Sequence, residues 1–138
     1  MASRPAIEVV GVDHVAINVS DLDRALEFYH ETLGLPIRDR NRYERVEVPY
    51  VAVVAGGLQL NLVPTDEPVE RTGEHLCLLC RSEEVDSRDE LSELLDHFQA
   101  QGIEVEEGEP EKRYGTVGRA WSAYVRDPDG RRVELKYH

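Results

Sequence analysis

The chain has 138 residues, of which 41% are hydrophobic and 32% are charged, and it carries a formal net charge of −12. This length suits one domain or two small repeated modules, and the acidity argues against nucleic-acid and anionic-membrane partners, because phosphate binding needs clustered Lys and Arg. No apolar run approaches the ~20 residues that span a bilayer, and the first five residues lack the apolar core of a signal peptide, so we expect a cytoplasmic protein.

The first element is a predicted strand at residues 8–19. Its residues alternate, so that Val15, Ile17 and Val19 share one face while His14 lies on the more polar face. An amphipathic helix follows, for which we expect Ser20 to be the N-cap, and it runs until Gly34.

Three further strands complete the first module, which we place at residues 7–63. They are predicted at residues 37–43, 46–55 and 58–63. Gly56-Gly57 turns the chain between the last two, and residues 64–72, with two prolines, form a linker.

The same order of elements returns in a second module at residues 73–138. Its first strand carries His75 near its start, as the strand of the first module carries His14. Ser87 and Glu90 are typical of a capping box, and an apolar helix follows that ends near Gly102. The remaining strands are predicted at residues 103–107, 121–126 and 131–137, with a polar loop at residues 108–118. We therefore predict one α+β domain of two βαβββ modules, which pair to bury the sheet face that each would leave bare.

The last strand carries one conspicuous carboxylate. The turn Asp127-Pro128-Asp129-Gly130 fixes the register of this strand. Alternation then places Glu134 on one face of the strand and Val133 and Leu135 on the other. A strand carboxylate flanked by basic residues is usually solvated surface. Two upstream histidines at matching places in the repeat favour a site instead.

Equivalent strands of the two modules carry a set of metal-binding side chains. The set comprises His14, His75 and Glu134, with Gln59 or Asn61 as the polar residue of the matching strand in the first module. If the two sheets curve together, these positions face one cavity. Two imidazoles and a carboxylate suffice for a divalent transition metal with open positions, so we predict one ion of Fe, Mn, Ni or Zn.

Cys77 and Cys80 have the Cys-x-x-Cys spacing of redox and zinc motifs. They lie on a predicted strand, where residues three apart point to opposite faces, so the two thiols cannot bind one ion. We interpret both cysteines as structural.

These motifs together resemble the vicinal oxygen chelate superfamily of glyoxalases, extradiol dioxygenases, epimerases and fosfomycin and bleomycin resistance proteins. The resemblance covers nearly the whole chain. It rests on His14, the segments 57–60 and 74–76, the turn at 127–130 with Val133-Glu134-Leu135, the helix at 21–29 and Leu33-Gly34-Leu35. Residues 114–121 and the junction at 82–86 look more like small single-domain members, such as fosfomycin resistance proteins and uncharacterised glyoxalase-domain proteins.

The resemblance implies a cupped mixed sheet around a metal, commonly completed by a second subunit, so we expect a homodimer that binds a small molecule. His14, His75 and Glu134 match the family's ligands. The fourth position departs from the family, because glyoxalase I enzymes tend to have glutamate where this chain has Gln59 or Asn61. The missing acid counts against a simple glyoxalase I assignment.

Further residues are candidates for substrate binding and proton transfer. Arg119 is an anion clamp or a surface ion pair, and Trp121 is a platform on which a cation can stack. Tyr114 and Asn61 complete the candidate substrate-binding set. Glu134 and Glu47 are the candidate catalytic carboxylates, although surface is the usual role of a residue such as Glu47.

Three functions agree with these residues. A metal-dependent isomerase or lyase that moves a proton on an oxygen-chelating metabolite is favoured. An extradiol-type dioxygenase is the first alternative, since two histidines and a carboxylate also suit iron(II). A fosfomycin or bleomycin resistance-like protein that binds a small molecule is the second, and its bleomycin resistance-like form would have no need of Glu134.

Overall fold

The computed structural model of the protein describes residues 6–81, 87–116 and 118–137, with Ser87 described by its backbone alone. Eight strands and three α-helices are assigned in these residues. The strands are β1 (His14–Val19), β2 (Ile37–Arg38), β3 (Val51–Ala55), β4 (Leu58–Pro64), β5 (His75–Cys80), β6 (Glu111–Gly115), β7 (Gly118–Arg126) and β8 (Arg132–Tyr137). The helices are α1 (Leu22–Leu26), which continues as a π-helix at Glu27–Thr32, α2 (Arg40–Glu44) and α3 (Ser87–Ala100).

The strands form two four-stranded mixed sheets with matching topology. Sheet one has the order β1-β4-β3-β2 and sheet two the order β5-β8-β7-β6. In each sheet the edge strand (β1 or β5) runs parallel to its neighbour, and the other pairs are antiparallel. The predicted α+β class and the repeated order of elements are therefore confirmed.

One hydrophobic core joins the two modules. Leu60, Leu62 and Tyr29 from the first module and Val125 and Val133 from the second belong to one cluster of buried residues. The helix α3 contributes its predicted apolar stripe, Leu91, Leu95 and Phe98. Because strands alternate, the residues between these core positions point away from the shared core.

The first module departs from the predicted strands between residues 37 and 50. Only Ile37–Arg38 forms a strand there, and α2 occupies most of the rest of the predicted strand 37–43. Val46 adopts a φ of 60° in the turn after α2, so pairing of β3 begins only at Val51. A β-branched residue at positive φ interrupts a strand, which the local composition did not indicate.

The second module departs from prediction between residues 103 and 118. The predicted strand 103–107 is reduced to one bridge between Val105 and Val125, and the predicted polar loop instead contains β6, which pairs with β7. Its side chains are exposed, so no apolar alternation marks this edge strand. The junction at residues 82–86 and the Ser87 side chain of the predicted capping box lie outside the described residues.

The turn before β8 is bonded to the first module. Asp127 is buried and accepts hydrogen bonds from Tyr29 Oη at 2.6 Å, from Arg131 Nη1 at 2.9 Å and from two backbone N–H groups of the turn. Asp129 accepts hydrogen bonds from the Ser20 hydroxyl and backbone N–H. Ser20 is therefore not the helix N-cap; Asp21 is, through its contact with Arg24 N at 3.2 Å.

None of the helices in the described part of the chain is long and apolar enough to cross a membrane.

Candidate functional site

Sheet two brings His75 and Glu134 together. The parallel register of β5 and β8 pairs His75 with Arg132 and Cys77 with Glu134, so all four residues share the sheet face that points away from the core. His75 Nε2 lies 3.1 Å from Glu134 Oε1, and Glu134 is only 5% exposed. The sequence predicted this face correctly but not the burial of its carboxylate.

Each of the two site histidines has its Nδ1 held by an oxygen. His75 Nδ1 donates to Gly73 O at 3.0 Å, which accepts only, and His14 Nδ1 lies 2.7 Å from Asp13 Oδ2. Such contacts direct the other nitrogen, Nε2, outward as a donor atom, which is the usual arrangement around a metal-binding histidine. Two ligand atoms that each lie about 2.1 Å from one ion and subtend a right angle at it are ~3.0 Å apart. The distance between His75 Nε2 and Glu134 Oε1 therefore fits a divalent transition metal.

The environment of Glu134 keeps it ionised. Burial alone would raise its pKa, but hydrogen bonds from the Ser122 and Tyr124 hydroxyls and the nearby charge of Lys136 outweigh burial and lower the pKa. Lys136 Nζ lies 3.6 Å from Glu134 Oε2. The carboxylate is therefore negative at neutral pH and available as a ligand.

Sheet one presents the matching face. The register of β1 and β4 pairs His14 with Gln59 and Ala16 with Asn61. Counted from the histidine of each module, Asn61 occupies the place of Glu134 and Ala16 that of Cys77. Gln59 Nε2 donates to Asn61 Oδ1 at 2.9 Å. The internal register thus favours Asn61 as the equivalent of Glu134, with Gln59 beside His14.

The structure brings the predicted ligands together in two groups rather than one. In residues 6–81, 87–116 and 118–137, no group of three or more His, Cys, Asp and Glu side chains could hold a metal ion. His75 and Glu134 lie on the outward face of sheet two, and His14 and Gln59 on that of sheet one. Within one chain, the predicted ligands therefore form two separate groups, which we call half-sites.

The other candidate residues lie away from Glu134. The pairing of β6 with β7 puts Trp121 opposite Lys112 and Tyr114 opposite Arg119, and strand alternation places Trp121, Tyr114 and Arg119 on the face of sheet two that does not carry Glu134. Trp121 packs against the core cluster, and Arg119 lies 5.6 Å from the ring of Tyr114, which is largely exposed. Glu47 is exposed in the turn after α2.

Comparison with known proteins supports one family. The model of the Glyoxalase/Bleomycin resistance protein/Dioxygenase superfamily matches residues 11–135. The chain belongs to this superfamily. Virulence protein STM3117 of Salmonella typhimurium is 30% identical over 92% of this chain and 83% of its own, and glyoxalase domain-containing protein RDO1 of Mycosarcoma maydis is 29% identical over 94% and 69%.

The superfamily fold is also found in solved structures. A mutant of the fosfomycin resistance protein FosX from Listeria monocytogenes, solved with Mn(II) and 1S,2S-dihydroxypropylphosphonic acid, superposes with a TM-score of 0.67 at 22% identity. The alignment covers 94% of this chain and 93% of FosX. This likeness establishes the fold.

Four residues of this superfamily member lie around Glu134 although the sequence did not indicate a site role for them. Cys77 and Tyr124 stand directly opposite Glu134 on the two neighbouring strands, and Ser122 pairs with Lys136. The Tyr124 ring contacts His75 edge-on, with ring centroids 5.4 Å apart. The sequence did contain one signal for a role of Lys136: lysine occurs only twice in the chain, and one of the two lies two residues after Glu134.

A cavity of about 680 Å³ runs along the edge strand β5. It is lined mainly by apolar side chains of the core-facing side, including Leu76, Leu78 and Leu135, and Cys77 is also in its lining. Its volume is in the range of small-molecule pockets. The predicted ligands His14, His75 and Glu134 are nevertheless not among its lining residues.

Cys77 is expected to react slowly as a nucleophile. Partial burial and the negative charge of Glu134 raise the pKa of its thiol to about 11, so the thiolate is scarce at neutral pH and becomes more abundant as the pH rises. In metal-free Cys80→Ala protein, the rate of iodoacetamide labelling should rise with a midpoint at about pH 11. Glu134→Gln should move this midpoint to lower pH, whereas a midpoint near that of an ordinary thiol in both proteins would contradict the assignment.

Proposed function

We propose that the protein is a divalent-metal-dependent enzyme that transfers a proton on a small metabolite with two neighbouring oxygen atoms, an isomerase or lyase type of reaction. The observation that carries this proposal is the buried, ionised Glu134 with Oε1 3.1 Å from His75 Nε2. A surface carboxylate would need neither the burial nor the ring of polar partners that surrounds Glu134.

The residues that would hold the metal are His14, His75 and Glu134, with Asn61 or Gln59 in the fourth position. When bound, the ion supplies a Lewis acid that stabilises negative charge developing on the substrate's oxygens. Glu134 contributes the compensating negative charge, and its part in proton transfer remains a prediction. Glu47 lies on an exposed turn and remains a prediction for that role.

A second copy of the chain is proposed to complete the site. Each half-site lies on an outward sheet face, and β1 and β5 are edge strands of their sheets in the described part of the chain. Ile7, Val9, Val10 and Val12, just before β1, are each more than 60% exposed. An exposed apolar segment beside an open strand edge favours association with another chain. In a twofold dimer, His14 of one chain would meet His75 and Glu134 of the other.

Subunit complementation tests this arrangement. We expect His14→Ala and Glu134→Gln each to lose tight metal binding alone. Mixed dimers of the two variants should regain it in one of their two sites, which is about a quarter of all sites after random exchange. The two variants are mixed, unfolded and refolded together, and calorimetric titration of Mn(II) into the refolded mixture measures the number of tight sites per chain. Size-exclusion chromatography verifies that the refolded protein is a dimer. A mixture with no more tight sites than the separate variants would place the site within one chain.

The reaction class is tested without knowing the substrate. Protein reconstituted anaerobically with Fe(II), Mn(II), Ni(II) or Zn(II) is incubated in D₂O with a panel of 2-hydroxy ketones and 2-oxo acids, and exchange of the carbon-bound hydrogen is followed by NMR. Metal-dependent exchange supports the proposal. Oxygen uptake with a catechol panel instead would favour the dioxygenase, and tight ligand binding without metal would favour a binding protein.

A further inference from the structure

A buried lysine lies beside Glu134. Lys136 is 4% exposed and extends from β8 across β7 towards β6. Its Nζ donates to Arg113 O at 2.7 Å and to Ser122 Oγ at 2.8 Å. These two fixed acceptors use two of the three ammonium protons, and the third side of the ammonium faces Glu134 Oε2 at 3.6 Å.

The path of this side chain is also shaped by β6. A Cβ at Gly115 would lie 3.0 Å from Lys136 Cε and 3.4 Å from its Cδ, so a larger residue there would crowd the lysine. Lysine is rarely buried without a purpose-built set of partners, because removing an ammonium from water is costly. Here a glycine, a serine hydroxyl and a backbone carbonyl provide that setting.

The two oxygens of Glu134 consequently have different surroundings. Oε2 faces the positive charge of Lys136, and Oε1 faces His75 Nε2. We propose that Lys136 is a positioning residue that occupies Oε2, so that Glu134 offers only Oε1 to a metal and leaves an additional coordination position for the substrate. This role rests on the proposed metal-dependent function.

Two consequences follow for metal binding. An ion held by Glu134 Oε1 would share that carboxylate with the positive charge of Lys136, which should lower the affinity for the ion. Removing the lysine should also free Oε2 as a second ligand atom. In Lys136→Met we therefore expect Mn(II) to bind at least about tenfold tighter, taking the weak interaction of charges in water as the lower bound. We also expect one fewer exchangeable water on the bound Mn(II).

Mn(II) titration followed by electron paramagnetic resonance gives the affinity, and water-proton relaxation gives the water count. Lys112→Met, at the other lysine of the chain, is the matched control and should change neither. Lys136→Gln is the second variant, because its amide can still donate to Ser122 or Arg113 O and preserve the fold. Circular dichroism establishes that each variant is folded.

The outcomes separate this role from the proposed function. Equal affinity and water count in folded Lys136→Met and the parent, or weaker binding in that variant, would overturn the role of Lys136 alone. In Lys136→Gln, whose amide can still donate to Glu134 Oε2 but has no charge, an unchanged or weaker affinity would overturn it as well. Absence of Mn(II) binding to the parent protein would overturn the metal-dependent function and the lysine's role together. A purely structural lysine would change stability without tightening metal binding.

Discussion

Replacing Glu134 by Gln is expected to weaken divalent metal binding at least about tenfold and to abolish any metal-dependent activity. The lower bound is the loss of affinity seen when a residue that only supports a metal ligand is changed. Glutamine keeps the size of the side chain and still accepts a hydrogen bond from Ser122 or Tyr124. The substitution removes the negative charge that pairs with Lys136 and His75. It also removes the carboxylate that we propose as a direct ligand of the metal. The fold should persist, because the apolar side chains that flank Glu134 on β8 are unchanged.

Calorimetric titration of Mn(II), Ni(II), Zn(II) and Fe(II) into the parent and the variant measures this effect. Glu93→Gln, at an exposed position of α3, is the charge-matched control and should bind each ion as the parent does. Equal affinities in parent and Glu134→Gln for every ion would put the site elsewhere and favour the binding-protein alternative.

Replacing Asp127 by Ala is expected to cost about 3–5 kcal/mol of stability, the range for breaking a buried ion pair by removing one partner. The change leaves Tyr29 Oη without its acceptor in a buried place, and Arg131 Nη1 and two backbone N–H groups without theirs in a partly buried one. Tyr29→Phe removes one hydrogen bond of this network and should cost less, about 1–2 kcal/mol.

Urea unfolding of the two variants and the parent gives these differences. Asp66→Ala, which removes an exposed carboxylate from the linker region, is the control and should change stability by about 0.5 kcal/mol or less. A loss below about 1 kcal/mol in Asp127→Ala would mean that the turn is held by other contacts.

Sequence reasoning succeeded where a local signal decided the structure. Gly130 and the apolar alternation of Val133 and Leu135 predict the face of Glu134, and helical spacing predicts α3. The opposite faces of Cys77 and Cys80 also follow from strand alternation, and Cys80 packs against the core whereas Cys77 is exposed on the other face. In each case the residues within a few positions carried enough information.

Sequence reasoning failed where a distant partner decides the structure. The segment of β6 has exposed side chains and forms a strand only because it pairs with β7. Val46 breaks the expected strand because it adopts a positive φ, which a β-branched residue disfavours. The burial of Lys136 depends on Ser122 and Arg113 O on two other strands. The division of the ligands between two outward faces depends on how both modules share one core, which alternation along a strand does not reveal.

The turn at residues 127–130 has a consequence for how the chain unfolds. It begins the strand of Glu134, yet its carboxylates bind Tyr29 and Ser20 of the other module, and Arg131 Nη2 donates to Asn18 O at 2.6 Å. Opening of either module therefore breaks hydrogen bonds that hold the other, in addition to exposing the shared core. The two repeats should behave as one cooperative unit, so that slow amide exchange in β1 and β8 reports the same global event.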